Sequence, residues 1–213
     1  HGVSRGVDVD VLVLGSHRNR FVGPRVADVP ADDHELGKLV RDVVEVDEKN
    51  RRLLLKVVGV TDQNPYHVHF IRINFDGSGF TRLTHSEGHH SIEFSPDRKW
   101  LIAIWSRPDQ PPVAELRSAA DGKLLAELER ADDSALQKTG WSRPERFVAK
   151  GRDGKTDIHG IIITPAKLDP AKKYPIVEDI YAGPHGAFAP KDFDRQLRMH
   201  QIAELGFIVV KLD

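Results

Sequence analysis

Two Asp-Gly pairs, Asp76-Gly77 and Asp121-Gly122, stand 45 residues apart, each between short runs of apolar and polar residues. Glycine reaches positive φ without steric penalty, so an Asp-Gly pair in this setting specifies a tight hairpin turn. The same signal recurs along the chain. Residues 41–46 and 52–60 flank Asp47-Glu48-Lys49-Asn50, and 66–74 and 80–84 flank Asp76-Gly77-Ser78-Gly79. Residues 91–94 and 100–105 flank Ser95-Pro96-Asp97-Arg98, and 113–118 and 124–128 flank Asp121-Gly122. Four short strands in about 40–45 residues is the period of a β-propeller blade. A β-sandwich also gives hairpins at this spacing; the period favours the propeller.

Beyond residue 130 the pattern changes. Residues 132–139 read as a short helix, capped by Asp132 or Asp133 and stopped by Gly140. A further hairpin, 147–150 and 157–164, turns around Asp153-Gly154 and leads through the polar stretch 165–173. Residues 176–181 then read as a buried apolar strand, 192–205 as a helix with Leu197, Ile202 and Leu205 on compatible faces, and 207–212 as a second apolar strand. Two apolar strands joined through a helix make a parallel pair. The first of them stops at the corner Gly183-Pro184-His185-Gly186, and a strand ending in a forced turn is where α/β enzymes place reacting groups. Residues 1–39 are the least legible. Val7, Val9, Val11 and Val13 alternate as in a half-buried strand, and residues 14–39 show no clear period.

The composition, 39% hydrophobic and 30% charged with a net charge of −1, is that of a globular chain. It gives no reason to expect nucleic acid or an anionic membrane as partner. The longest apolar runs, such as Leu53-Leu54-Leu55 and Ile161-Ile162-Ile163, fall far short of a membrane span. Without cysteine there is neither disulfide nor thiol catalysis, and the compartment stays open. The chain begins at His1 and ends one residue after the strand at 207–212. A buried strand needs neighbours on both sides, so the chain reads as a fragment. Its unpaired strand edges are expected to make it aggregate or melt without a sharp transition.

The stretch YPIVEDIYAGPHGAF (174–188), preceded by KGRDGKTDIHGIIITP and followed by AELGFIVVKLD, resembles the prolyl oligopeptidase family of serine peptidases, in its dipeptidyl peptidase IV-like branch. FDGSGFTRLT, FSPDRKWLIAIWSRPDQPPVAELR and DDSALQKTGW are similar to the last part of that group's N-terminal propeller. The likeness covers about residues 40–213. It implies a mixed fold: β-propeller blades over 40–140, all-β, followed by the first part of an α/β-hydrolase domain over 141–213. The implied activity is cleavage of dipeptides from peptide N-termini through a Ser-Asp-His triad; oligopeptidase and acylaminoacyl-type activities stay open. Tyr181 matches the family's oxyanion tyrosine. A phenol keeps its proton at neutral pH and can donate to a developing oxyanion, and such holes form at the carboxyl edge of the sheet.

The family's nucleophile, acid and base lie beyond the last strand of this chain, so none of the ten serines or eleven histidines is expected to belong to a triad. A Gly-x-Ser-x-Gly elbow is not expected; Gly77-Ser78-Gly79 is too short and sits in a hairpin turn. His185 borders the oxyanion corner and reads as a loop histidine. His67, His69, His85, His89 and His90 form the one group that invites a metal reading, because His67 and His69 share a strand face. Adjacent histidines point to opposite faces, and no Cys or fixed acidic spacing supports a site, so a solvated or hydrogen-bonded role is expected. Arg51-Arg52 and Lys172-Lys173 read as solvated pairs, and Trp100 and Trp105 as strand core. No cofactor or metal is implied. The implied partner is a peptide substrate of the parent enzyme, whose homo-oligomerisation is left open. The alternative is a non-catalytic, propeller-type interaction module.

Overall fold

The computed structural model describes residues 39–61, 64–181 and 187–213; the strand expected around residues 7–13 lies outside them. Twelve strands and two helices follow one another in these segments. Strands β1 (Leu39–Asp47), β2 (Arg52–Val58), β3 (His69–Asn74) and β4 (Thr81–Arg82) pair in sequence order into one four-stranded sheet. Strands β5 (His89–Phe94), β6 (Trp100–Arg107), β7 (Gln110–Ser118) and β8 (Leu124–Arg130) do the same. These are the two meanders that the hairpin spacing predicts. A third sheet, in the order β11-β12-β10-β9, is built from β9 (Glu145–Lys150), β10 (Asp157–Ile163), β11 (Ile176–Glu178) and β12 (Ile208–Leu212). Helix α1 (Ser134–Gln137) precedes it and α2 (Leu197–Glu204) lies between β11 and β12. By compactness the chain forms two units, one running to Ala103 with Glu115–Ala126, the other Ile104–Ala114 with Glu127–Asp213.

In the first unit, Leu54, Val58, Val68, Phe70 and Leu83 pack against Leu101, Ala103 and Ala119, with Ile92 and Phe94 at the margin. Alternation decides which side chains enter. Leu101 and Ala103 are fully buried, whereas Trp100, expected in the core, is exposed with Ile102 on the other face of β6. Leu83 and Leu101, with no exposed surface, each contribute roughly 1.5–3 kcal/mol of burial. β7 starts three residues before the expected strand and runs through Pro111 and Pro112. Proline donates nothing to a ladder but keeps its carbonyl, and the Pro112 carbonyl accepts from Ala131 N at 2.9 Å.

The turn after β7 is fixed by a buried ion pair. Arg117 donates to Glu115 Oε2 and to the Gly122 carbonyl, both at 2.8 Å, and Ser86 Oγ donates to Glu115 Oε1 at 2.9 Å. Gly122 has φ +73°, and a Cβ built on it would stand 2.2 Å from the Arg82 carbonyl oxygen and 2.8 Å from Leu83 Cα. Both obstacles are backbone and cannot swing away.

In the second unit, β10 pairs antiparallel with β9 and with β12, and β12 pairs parallel with β11 in the register Ile176↔Ile208, Val177↔Val209, Glu178↔Val210. The strand–helix–strand expectation holds, with one correction. The strand expected to be buried over 176–181 is three residues long and lies at the sheet edge, with Ile176, Ile180 and Tyr181 exposed. Among the described strands only β12 pairs with it, so within the described residues one side of its backbone lacks a strand neighbour.

Helix α2 covers this sheet through Met199, Ile202 and Ala203, which meet Ile161, Ile163 and Val209. It is shorter than expected, and Leu197 and Leu205 at its two ends are exposed. The chain ahead of it is held in another shape. Gln196 is left-handed (φ 48°), Phe193 N donates to Ser106 Oγ at 3.1 Å, and Trp141 Nε1 donates to the Arg195 carbonyl at 2.7 Å. The Trp141 ring meets Phe193 edge-on at 5.8 Å and stacks on His200 at 5.3 Å.

We expect Gly122→Ala to destabilise the chain by about 2–4 kcal/mol, through left-handed strain and backbone collision. Urea unfolding midpoints compared with Gly154→Ala test this, because a Cβ at Gly154 meets nothing within 4 Å although its φ is also positive.

Candidate functional site

Because β11 and β12 run parallel, their carboxyl ends reach the same edge of the sheet. The ladder extends one step past β11: Asp179 N donates to the Val210 carbonyl at 2.9 Å, and Lys211 Nζ lies 3.2 Å from Asp179 Oδ2. Tyr181 comes two residues later. Its side chain is 60% exposed, and its ring lies against Phe188, with centroids 4.3 Å apart and planes at 50°. Its hydroxyl makes no hydrogen bond to another described residue. The corner at 182–186, with His185, lies outside the described residues.

Asp213, which succeeds β12 directly, reaches the same edge. Its Oδ1 accepts from Phe188 N and, at 2.8 Å, from Ala189 N; its Oδ2 pairs with Lys191 Nζ at 2.6 Å. Both side chains of this ion pair are nearly enclosed, 8% exposed for Asp213 and 11% for Lys191. Lys191 Nζ also donates to the Ala189 carbonyl. On the other side of β12, Asp213 N donates to the His159 carbonyl at 3.2 Å. Burial holds the His159 pKa below the usual imidazole value; Asp157 and Asp213 act against that and Lys191 with it.

The edge therefore offers a phenolic donor without a partner among the described residues, a buried carboxylate–ammonium pair and an imidazole. Sequence reasoning found only Tyr181. A signal for Asp213 was present, since the residue after the last apolar position of a parallel strand must fall at the carboxyl edge. Lys191 and Phe188 carry no local signal.

No Gly-x-Ser-x-Gly occurs among the described residues. The spacing does occur once, at Gly2-Val3-Ser4-Arg5-Gly6, which corrects the expectation that the chain lacks the pattern; these residues lie outside the described part. A nucleophile elbow joins a strand to a helix. The residues after Gly6 instead alternate Val7, Val9, Val11 and Val13, so Ser4 is not assigned as a nucleophile.

Of the solvated or hydrogen-bonded role expected of the histidine group, His69 and His90 take the hydrogen-bonded one, inside the core. His67, His69 and His90 are buried in the first unit, and the His69 and His90 rings lie 4.6 Å apart. His69 Nδ1 is 3.2 Å from Thr84 Oγ1, and His90 Nδ1 donates to the Val68 carbonyl at 3.1 Å. Nε2 of each is buried without a hydrogen-bond partner. Among the described residues no group of three or more His, Cys, Asp or Glu side chains gathers as metal ligands. Burial, reinforced by Arg82, lowers the His69 pKa to about 4. Burial, reinforced by His69 and Arg117, lowers that of His90 further.

These histidines are neutral in the folded chain and take up protons near ~6.5 when it unfolds. Stability from them is complete above that pH and falls as the pH drops toward 4, by roughly 3 kcal/mol for His69 alone. Urea midpoints from pH 7.5 to 4 should fall along this course, and His69→Phe should make the fall shallower, leaving the part due to His90. A midpoint independent of pH across that window would show that the rings already bind protons in the fold.

Residues 38–112 match the family described as the dipeptidyl peptidase IV N-terminal region. Human dipeptidyl peptidase 8 is 30% identical over 179 residues, covering 80% of this chain and 20% of the relative. A probable dipeptidyl-aminopeptidase B of Aspergillus niger is 27% identical over 158 residues, 72% of this chain and 17% of the relative. Among solved structures, a putative dipeptidyl aminopeptidase IV from Bacteroides ovatus superposes with a TM-score of 0.64 at 25% identity, covering 84% of this chain and 25% of that one. The chain thus spans about a fifth of the length of these curated relatives. Its open four-stranded sheets are consistent with the β-propeller of such proteins. With its family-model match, its relatives and its structural neighbours all agreeing, the chain belongs to the dipeptidyl peptidase IV-like branch of the prolyl oligopeptidase family.

Proposed function

We propose that this chain is part of a serine peptidase that removes dipeptides from peptide N-termini through an acyl-enzyme. Residues 40–140 belong to its propeller, and 141–213 open its α/β-hydrolase domain. The observation that carries this reading is Tyr181, an exposed tyrosine whose hydroxyl has no partner among the described residues, at the carboxyl edge of a parallel strand pair in a chain related to dipeptidyl peptidases.

The chemistry assigned to this chain is limited and specific. A serine nucleophile supplied from outside residues 1–213 attacks the scissile carbonyl, whose oxygen gains negative charge as the tetrahedral intermediate forms. The Tyr181 hydroxyl donates a hydrogen bond to that oxygen and keeps its own proton. Such a donor aids the reaction because the oxyanion accepts more strongly than the ground-state carbonyl, so the bond gains strength in the transition state. The donor needs no covalent step.

In the full-length protein, Tyr181→Phe should lower kcat by ~100-fold, the low end for an oxyanion donor because the ring is largely exposed, with little change in KM. Unchanged kcat would remove Tyr181 from the reaction. An organophosphonate serine probe should label the full-length protein and leave a polypeptide of residues 1–213 unmodified. Labelling of the short chain would place the nucleophile within it. No labelling of the full-length protein would favour the non-catalytic, propeller-type interaction module instead.

A further inference from the structure

The Asp213–Lys191 pair poses a physical question that the sheet does not answer. Enclosing a carboxylate is costly unless several donors meet it. The strand before it is already bonded on both sides, to β10 and to β11, so holding β12 does not require it. Its donors Phe188 N, Ala189 N and Lys191 Nζ all come from the segment that leads away from the Tyr181 corner. Lys191 closes the arrangement by donating to the Ala189 carbonyl as well. The carboxylate therefore fixes the backbone at 188–189 on both its amide and carbonyl sides. That backbone carries the Phe188 ring, which lies against Tyr181.

Among the described residues, little else holds Tyr181. It lies past the last rung of the β11–β12 ladder, is mostly exposed, and its hydroxyl has no partner among the described residues. An oxyanion donor works only within about 2.7–3.1 Å of the place where the charge will develop. A displacement of ~1 Å can cost ~100-fold in rate.

We propose that Asp213, held by Lys191, is a positioning residue that sets the Tyr181 hydroxyl for oxyanion stabilisation by fixing the Phe188 backbone and ring. This rests on reading Tyr181 as the oxyanion donor. Asp213 does not touch the substrate; it acts through Phe188.

The test is a mutant cycle in the full-length enzyme, with Tyr181→Phe, Asp213→Ala, Asp213→Asn, Phe188→Leu and the Tyr181→Phe/Asp213→Ala pair. Hydrolysis is read on a panel of dipeptidyl p-nitroanilides. Independently of side-chain preference, the rate of organophosphonate labelling reports oxyanion stabilisation at the serine. Asp213→Ala should lower kcat and the labelling rate by ~10- to ~100-fold with KM changed by less than ~3-fold. Asp213→Asn should recover part of this, because the amide oxygen can still accept from Phe188 N and Ala189 N. In the Tyr181→Phe background the Asp213→Ala change should add less than ~3-fold, since a residue acting through Tyr181 has nothing left to position. Should Asp213→Ala fail to fold by thermal melting, Phe188→Leu, which keeps the ion pair, must show the same dependence on Tyr181. Normal rates for folded Asp213→Ala, or losses that multiply in the double variant, would overturn the positioning role while leaving Tyr181 in place. Normal rates for Tyr181→Phe would instead overturn the oxyanion reading beneath it.

Discussion

The second unit depends on β12 being bonded on both sides, antiparallel to β10 and parallel to β11. A parallel neighbour brings like ends together, so the residues that leave β11 and β12 meet at one edge. That is why residues 32 positions apart, Tyr181 and Asp213, belong to one neighbourhood. β10 contributes from the opposite direction, and its opening residues therefore bring His159 to the same edge. Packing supports this order: Ile161, Ile163 and Val209 present a continuous apolar face to Met199, Ile202 and Ala203 of α2. A one-residue slip of β12 would turn Val209 out of that face and move Asp213 away from the amides it binds.

Buried polar groups in this chain perform two different tasks. Arg117, Glu115 and Ser86 satisfy one another inside the first unit, and the arginine spends a further N–H on the Gly122 carbonyl. This network sets where β7 turns into β8. Satisfied networks of this kind specify a geometry more than they add net stability. His69 and His90 behave otherwise. Each satisfies one ring nitrogen and leaves the other buried without a partner, which keeps the rings neutral and makes the core sensitive to acid. Arg82 and Arg117 nearby oppose a positive charge there. The hydrogen bonds to Thr84 and to the Val68 carbonyl act the other way, and burial outweighs them.

Much of the fold was legible because hairpins announce themselves locally. Asp76-Gly77, Asp121-Gly122 and Asp153-Gly154 located turns, and each of those glycines has positive φ. The misreadings came where tertiary contacts overruled local pattern. Trp100 and Ile102 are apolar and periodic, yet so are Leu101 and Ala103, and sequence alone does not say which set faces inward. Helix α2 starts late because Gln196 is left-handed and Phe193 is tied to Ser106, a contact spanning 87 positions. At the candidate site, the family motif around Tyr181 was readable as a motif. The carboxylate holding the next segment was not, because Asp213, Lys191 and Phe188 converge only once the parallel register exists.

For the role proposed for Tyr181, that convergence bears on how an oxyanion donor can be both available and accurately placed. A tyrosine whose hydroxyl were tied up within the fold would be well ordered but would have to break that bond before helping the reaction. A tyrosine held only by its strand would be available but loosely aimed. Here the hydroxyl has no partner among the described residues, while the ring lies against a neighbour whose own backbone is gripped by a buried charge. The ordering is thus established on folding and at a distance from the hydroxyl, which is what the proposed preorganised stabilisation of a transition state requires.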